Sequence, residues 1–391
     1  MQLLTNLIIN LITKMSLNLI STFYLHIQTL FLTFNIFYMT FSNKEFQVPE
    51  KLGYVPSLDG LRAVAVSLVM LSHANFQFCT NAGEIGVDIF FAISGFLITT
   101  LLLEEQFINK KISLINFYLR RSFRLFPALY LMLLIVFLYA LIFAISADKQ
   151  IIFREVLAST LYLYNVSWWI WGKNELIIYH MWSLAVEEQF YLIWPLVLML
   201  SIRYFSAKKL QRGLFIFITT FFLIKSIYGP SILNSLIYES VFIGCLFSLL
   251  RWTGTFTIRI PNSITIFCII LLLIVAVLPI PHYYEIMVNY NLRFIIGIIT
   301  MIIILGLINK TNSSVLETML SSPILVFIGR ISYALYLWHL PVFKWFSWHS
   351  TLPPIVAFVL KFIVSFGLAV ISWYFIEKKT IEYGKRFKKI Q

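Results

Sequence analysis

The chain has 391 residues, 60% of them hydrophobic and 12% charged, with a mean hydropathy of +0.87. Soluble domains carry about 25% charged residues, so this composition excludes a soluble globular protein and indicates a polytopic membrane protein. The formal net charge is +13, but the basic residues gather at the ends of apolar segments, as topology determinants do and nucleic-acid surfaces do not.

Residues 1–43 are apolar but interrupted by Asn, Thr, Gln and His, with Lys14 as their only cation. They lack the basic start and small-residue cleavage site of a signal peptide. Residues 17–38 could form an extra spanning helix; the alternative, and the preferred reading, is translation from Met15 or Met39. The membrane domain is assigned to 44–378 and a basic cytoplasmic tail to 379–391.

Ten apolar segments follow, each of about twenty residues, the length a bilayer requires. They run 58–77, 85–103, 125–146, 183–201, 213–229, 232–250, 263–280, 292–309, 323–346 and 355–376. Basic clusters fill alternate loops: Lys110 to Arg124, Arg203 to Arg212, Arg251 and Arg259, Lys310, and Lys378 to Lys389. All fall on one side when both termini are cytoplasmic. The expected fold is therefore all-α, a membrane bundle of about ten transmembrane helices. Within 147–182, the stretch Val156 to Ile170 is expected to form a re-entrant or interfacial helix on the outer face. Cys79, Cys245 and Cys268 have no paired spacing, so neither a disulfide framework nor a metal site is expected.

Five polar clusters interrupt the apolar background. Asp59, Arg62 and His73 share the first segment. Eleven residues are close to three helical turns, which puts Arg62 and His73 on one face roughly 16 Å apart. Asp59 and Arg62 can pair at i,i+3. In the second segment, Asp88 is expected near the depth of His73, where it can orient the imidazole, while Ser94 and Gly95 read as helix-packing residues. The third cluster, Arg120, Arg121 and Arg124, lies on an amphipathic stretch ended by Pro127. Guanidinium forks suit phosphates, although for this cluster taken by itself a plain anchor to anionic lipid is the preferred reading.

The fourth cluster holds His180, Trp182, Ser183, Glu187, Glu188 and Tyr191. Adjacent carboxylates point about 100° apart, so one can face a cavity while the other pairs with a neighbouring helix. The fifth, Ser332, Tyr336 and His339, makes one polar stripe. His339 is either a second functional imidazole or a structural hydrogen-bonder, the latter preferred.

Together and in this order these segments resemble the acyltransferase 3 family of integral-membrane O-acyltransferases. The resemblance covers 57–378. It is carried by the Arg62-to-His73 spacing, Gly86-Val-Asp88 through Ser94-Gly95, Trp182-Ser183 through Glu187-Glu188-Gln189, Arg121 to Arg124 before Pro127, and Ser332-Tyr333 to His339. Two departures stand out: no arginine lies in Asn234 to Gly244, and the tail around Lys378 and Lys379 lacks a proline. No extra-membrane hydrolase-like domain of the kind fused to some members is read in this sequence, so the chemistry is expected to lie within the bundle.

The resemblance implies transfer of an acyl group, most often acetyl, from cytoplasmic acyl-CoA to a carbohydrate hydroxyl outside. The acceptor would be a cell-surface or lipid-linked carbohydrate, the location a bacterial inner membrane, and no permanently bound cofactor is implied. Arg120, Arg121 and Arg124 would hold the phosphates of acyl-CoA. His73 would act as general base or transient acyl carrier. Asp88, Glu187 or Glu188 would fix its tautomer, and Arg62 with Asp59 would shape the site. Trp182, Ser183, Ser332, Tyr336 and His339 are the candidate substrate contacts. The rival from another class is a proton-coupled secondary transporter, which also buries Asp, Glu, Arg and His in a bundle.

Overall fold

The computed structural model describes residues 51–388 except 75–78, 80, 173–175, 229–236, 255–259, 278–281 and 309–313; for 147, 226–228, 282–291 and 354 it describes the backbone alone. Residues 1–43, with their candidate extra helix, lie outside the described residues. By internal packing the chain divides into two units: 50–250 with 258–391, and 1–49 with 251–257. Of the second, only the end of one helix and its turn are described.

Among the described residues every regular element is helical. In chain order they are α1 Pro56–Ser72, α2 Ala82–Asn109, α3 Leu114–Phe143, α4 Ser146–Thr160, α5 Tyr164–Trp171, α6 Met181–Tyr204 and α7 Ala207–Tyr228. Then come α8 Glu239–Trp252, α9 Asn262–Val277, α10 His282–Ile308, α11 Val315–Leu320, α12 Pro323–Arg330, α13 Ser332–His349 and α14 Pro354–Ser372. A wide turn at Trp373–Glu377 joins α14 to α15, Lys378–Gly384. Each of the ten apolar segments contains a helix. Among the described residues, four helical stretches are individually long and apolar enough to cross a bilayer, or five if α12 and α13 count as one broken span. The chain is a multi-pass membrane protein.

Three elements differ from expectation. Pro127 does not end the arginine stretch: α3 runs through it, so Arg120, Arg121 and Arg124 occupy the early turns of a thirty-residue helix. Proline is tolerated in membrane helices because neighbouring groups satisfy the freed carbonyl. The outer-face stretch is two helices rather than one, divided at Leu161–Leu163, where Tyr162 takes a positive φ of 53°. The segment 323–346 is likewise broken, with α12 and α13 meeting at 68° around Ile331.

α2 is apolar on all sides and buried along most of its length, which makes it the central post of the bundle. Its approach to α8 depends on two glycines. A Cβ on Gly95 would strike the Val241 carbonyl, and one on Gly244 would strike the Ala92 carbonyl. Such reciprocal small-residue contacts let membrane helices pack backbone to backbone. At the cytoplasm-facing end expected for α1, Pro56 occupies the first turn and Asp59 complements the helix N-terminus.

Candidate active site

Five helices converge on one cavity. It is lined by Arg62 of α1, Phe90 and Ser94 of α2, Arg121 and Arg124 of α3, Ser183, Glu187 and Tyr191 of α6, and Ser332, Tyr333 and Tyr336 of α13. The periodicity explains the gathering: 183, 187 and 191 are spaced i, i+4, i+8, while 121 and 124, and 332 and 336, are single-turn pairs. Three guanidinium groups therefore face the same space as one carboxylate.

Glu187 anchors the middle of the cavity. Its Oε1 accepts a hydrogen bond from Ser94 Oγ at 2.5 Å and another from the Tyr191 hydroxyl. Ser94 is therefore a cavity residue and not merely a packing residue, whereas Gly95 beside it serves the α8 contact. Arg121 is held between the two carboxylates, 3.2 Å from Glu188 and 4.0 Å from Glu187, and lies over the Tyr191 ring. Its Nε is buried with no partner among the described residues. Arg124 is exposed, with no ion pair among the described residues. Arg62 pairs with Asp59 at 3.5 Å, and Asp59 is shared with Tyr54 at 2.8 Å and Arg330 at 3.9 Å.

Beyond the cavity lies a cluster of imidazoles. At the far end, the Ser183 and Tyr336 hydroxyls are hydrogen-bonded to each other, and Tyr336 also donates to the His180 carbonyl at 2.9 Å. The rings of His180 and His339 meet edge-to-face with centroids 5.0 Å apart, and His339 Nε2 is 3.1 Å from His73 Nδ1. His73 caps the end of α1, and Tyr179 packs against it edge-on at 5.6 Å. Among the described residues no group of His, Cys, Asp and Glu is placed to hold a metal ion.

Several expected neighbours of this site are elsewhere. Asp88 does not reach His73; its Oδ1 accepts from Ser240 Oγ of α8 at 2.6 Å. Nor do Glu187 and Glu188 orient that imidazole, since both face Arg121. Arg120 points away from the cavity to Glu105 of α2, 3.5 Å distant. Trp182, one position before Ser183, stacks on Tyr238 at 5.3 Å outside the cavity. There it joins a second charged region: Lys225 with Glu239 at 3.0 Å, Arg293 with Glu84 at 3.1 Å, and the Arg293 guanidinium over the Tyr238 ring at 4.7 Å.

The family model for the acyltransferase domain called acyltransferase 3 matches residues 55–374, which contain every residue of the cavity and of the imidazole cluster. The chain belongs to the acyltransferase 3 family. O-acetyltransferase OatA of Staphylococcus aureus is 31% identical over 370 residues, covering 85% of this chain and 59% of the relative. Peptidoglycan O-acetyltransferase OatA of Listeria monocytogenes is 32% identical over 373 residues, covering 86% of this chain and 58% of the relative. The chain thus spans somewhat less than three-fifths of the length of these relatives. No solved structure matches it significantly.

Within this acyltransferase 3 fold, two residues gain importance that their sequence setting did not announce. His180 lies immediately before α6 and is fully buried against His339; its signal was a histidine two positions before the Trp-Ser pair. Glu155 of α4 accepts from the backbone of Leu176 at 2.9 Å, Ile177 at 3.0 Å and Ile178 at 3.4 Å, and from the Tyr164 hydroxyl at 2.8 Å. It therefore ties the strap that delivers His180. Burial pushes its carboxyl above the usual range, against the pull of those N–H donors. Its signal was an acid set in an apolar, aromatic stretch.

Proposed function

We propose that the chain is a membrane O-acyltransferase that moves an acetyl group from cytoplasmic acetyl-CoA to a hydroxyl of an extracytoplasmic carbohydrate. The names of the relatives support acetyl as the group and, for the Listeria protein, peptidoglycan as the class of acceptor. The observation that carries the reading is one cavity lined by Arg62, Arg121 and Arg124, leading through Ser183 and Tyr336 toward His73. Ten spans with both termini cytoplasmic belong to the same proposal, supported by the alternation of basic clusters.

Arg124, which has no ion pair among the described residues, binds phosphates of the donor together with Arg121 and Arg62 beside it, since guanidinium forks offer paired hydrogen bonds to phosphate oxygens. Arg120, paired to Glu105, is left out of that set. The pantetheine arm extends past Glu187 and Tyr191, bringing the thioester toward the imidazoles. His73 removes the proton of the acceptor hydroxyl as its oxygen attacks the thioester carbonyl. The C–S bond breaks, and the proton on His73 passes to the departing thiolate, giving ester and free CoA. Direct acyl transfer through His73 Nε2 uses the same groups in two steps.

The test is purified protein in nanodiscs with radiolabelled acetyl-CoA and a soluble carbohydrate acceptor. Wild type should transfer label, and His73→Ala should lose it by about 10²–10⁴-fold. Arg121→Ala/Arg124→Ala should recover rate only at raised acetyl-CoA. A folded wild type that neither binds nor consumes acetyl-CoA would overturn the proposal and return the proton-coupled transporter to first place.

A further inference from the structure

We infer that His339 is the positioning partner of His73, holding its imidazole in the tautomer with hydrogen on Nδ1 and the lone pair on Nε2. The inference rests on the reading of His73 as the reacting base, but its tautomer argument stands on geometry alone.

His339 is fully buried, and its Nδ1 lies 2.7 Å from the Tyr336 carbonyl and 3.2 Å from the Leu335 carbonyl. Carbonyl oxygens only accept, so Nδ1 must carry the hydrogen. An imidazolium in a fully buried position needs a counter-charge, and among the described residues no acidic side chain pairs with His339. The ring is therefore neutral, and its Nε2 is a bare acceptor. That atom is 3.1 Å from His73 Nδ1, so His73 is the donor of the pair. Its own Nε2 is left unprotonated.

This is the form that a base or nucleophile requires. The same contact serves after proton uptake: an imidazolium at His73 still donates from Nδ1, now through a charge-assisted bond. His339 thus does with a neutral ring what a buried carboxylate does in other acyl-transfer sites. The ring is itself held from several sides, by His180 at 5.0 Å, His73 at 5.1 Å and Phe343 at 5.9 Å between centroids. His73 needs such a partner because it stands one residue beyond the last residue of α1.

Solid-state ¹⁵N NMR of the imidazole-labelled protein in lipid nanodiscs reads the tautomer directly, with His73 assigned by loss of its signals in His73→Gln. Wild type should show His73 protonated at Nδ1 and bare at Nε2. In His339→Leu that preference should collapse toward the Nε2–H form. His339→Gln places an amide oxygen near the lost Nε2 and should restore it. His339→Asn, whose amide reaches only the Nδ1 position, should not. Acetyl transfer should follow the same order: kcat down on the order of 10²-fold in Leu and Asn, partly recovered in Gln, with KM for acetyl-CoA unchanged. A wild-type His73 protonated at Nε2, or an Nδ1–H form that survives His339→Leu, overturns the inference. A correct tautomer in a protein that transfers no acetyl would instead count against the proposed function alone.

Discussion

Two buried charged regions occupy this bundle, and they are built on opposite plans. Around α2, α7, α8 and α10, Lys225 is closed on Glu239, Arg293 on Glu84, and Asp88 on Ser240, with Lys225 and Glu239 almost wholly buried. Around α1, α3, α6 and α13, three arginines face an open space that holds one carboxylate. In the first region each cation is closed on a carboxylate. In the second, Arg62 and Arg121 have carboxylate partners, but Arg124 lines the cavity with no ion pair among the described residues and is left for something else to complete. Burial of charge does not by itself mark a functional site; a cation that faces a cavity without an ion pair does.

Substitutions can break this contrast. The largest effect is expected in the closed region: Lys225→Met leaves Glu239 buried and unpaired, a loss of about 3–5 kcal/mol, visible as a drop in thermal-unfolding midpoint. Lys225→Met/Glu239→Leu should recover most of it, with acetyl transfer per folded molecule near wild type. Turnover that stays low in the stable double variant would give this region a share in the reaction.

Arg124→Ala should do the reverse, changing stability by less than about 0.5 kcal/mol while raising KM for acetyl-CoA about tenfold or more, the value of a charge-assisted phosphate contact. An unchanged KM would remove Arg124 from donor binding. Ser94→Ala removes one donor to Glu187 and should cost about 1 kcal/mol, read as a small rise in KM with retained fold. Smallest of all, Arg120→Ala breaks a half-exposed pair worth about 0–1 kcal/mol and should leave KM alone. A tenfold change there would restore Arg120 to the phosphate set.

What the sequence made legible was depth, and what it hid was azimuth. The interval from Arg62 to His73 is readable because helical rise fixes height. Asp88 was placed by the same logic near His73, yet its side chain turns toward α8, since rotation of one helix against its neighbours is set by packing. The partner of His73 comes from α13, 266 positions away, and no local pattern encodes that distance. The two carboxylates at 187 and 188 were readable as pointing in different directions; that both would face one arginine was not. The reach of α3 through Pro127 was hidden because proline propensity in water misjudges a helix whose surroundings satisfy the loose carbonyl.

The break at Ile331 has an electrical consequence. A span that ran unbroken would bury the middle of a hydrogen-bonded ladder beside the cavity, where peptide dipoles cancel end to end. Because α13 instead starts there, with Ser332 and Tyr333 on the cavity wall, the positive end of an eighteen-residue helix is delivered inside the bundle. Its opening N–H groups precede the first bond of the helix's own ladder, from the Leu335 N–H to the Ile331 carbonyl at 2.9 Å. The carbonyl end of α12 meets the same point, so what the bend sets is the direction of the peptide dipoles beside the cavity rather than a net charge, and no pH change or side-chain rotation can remove it.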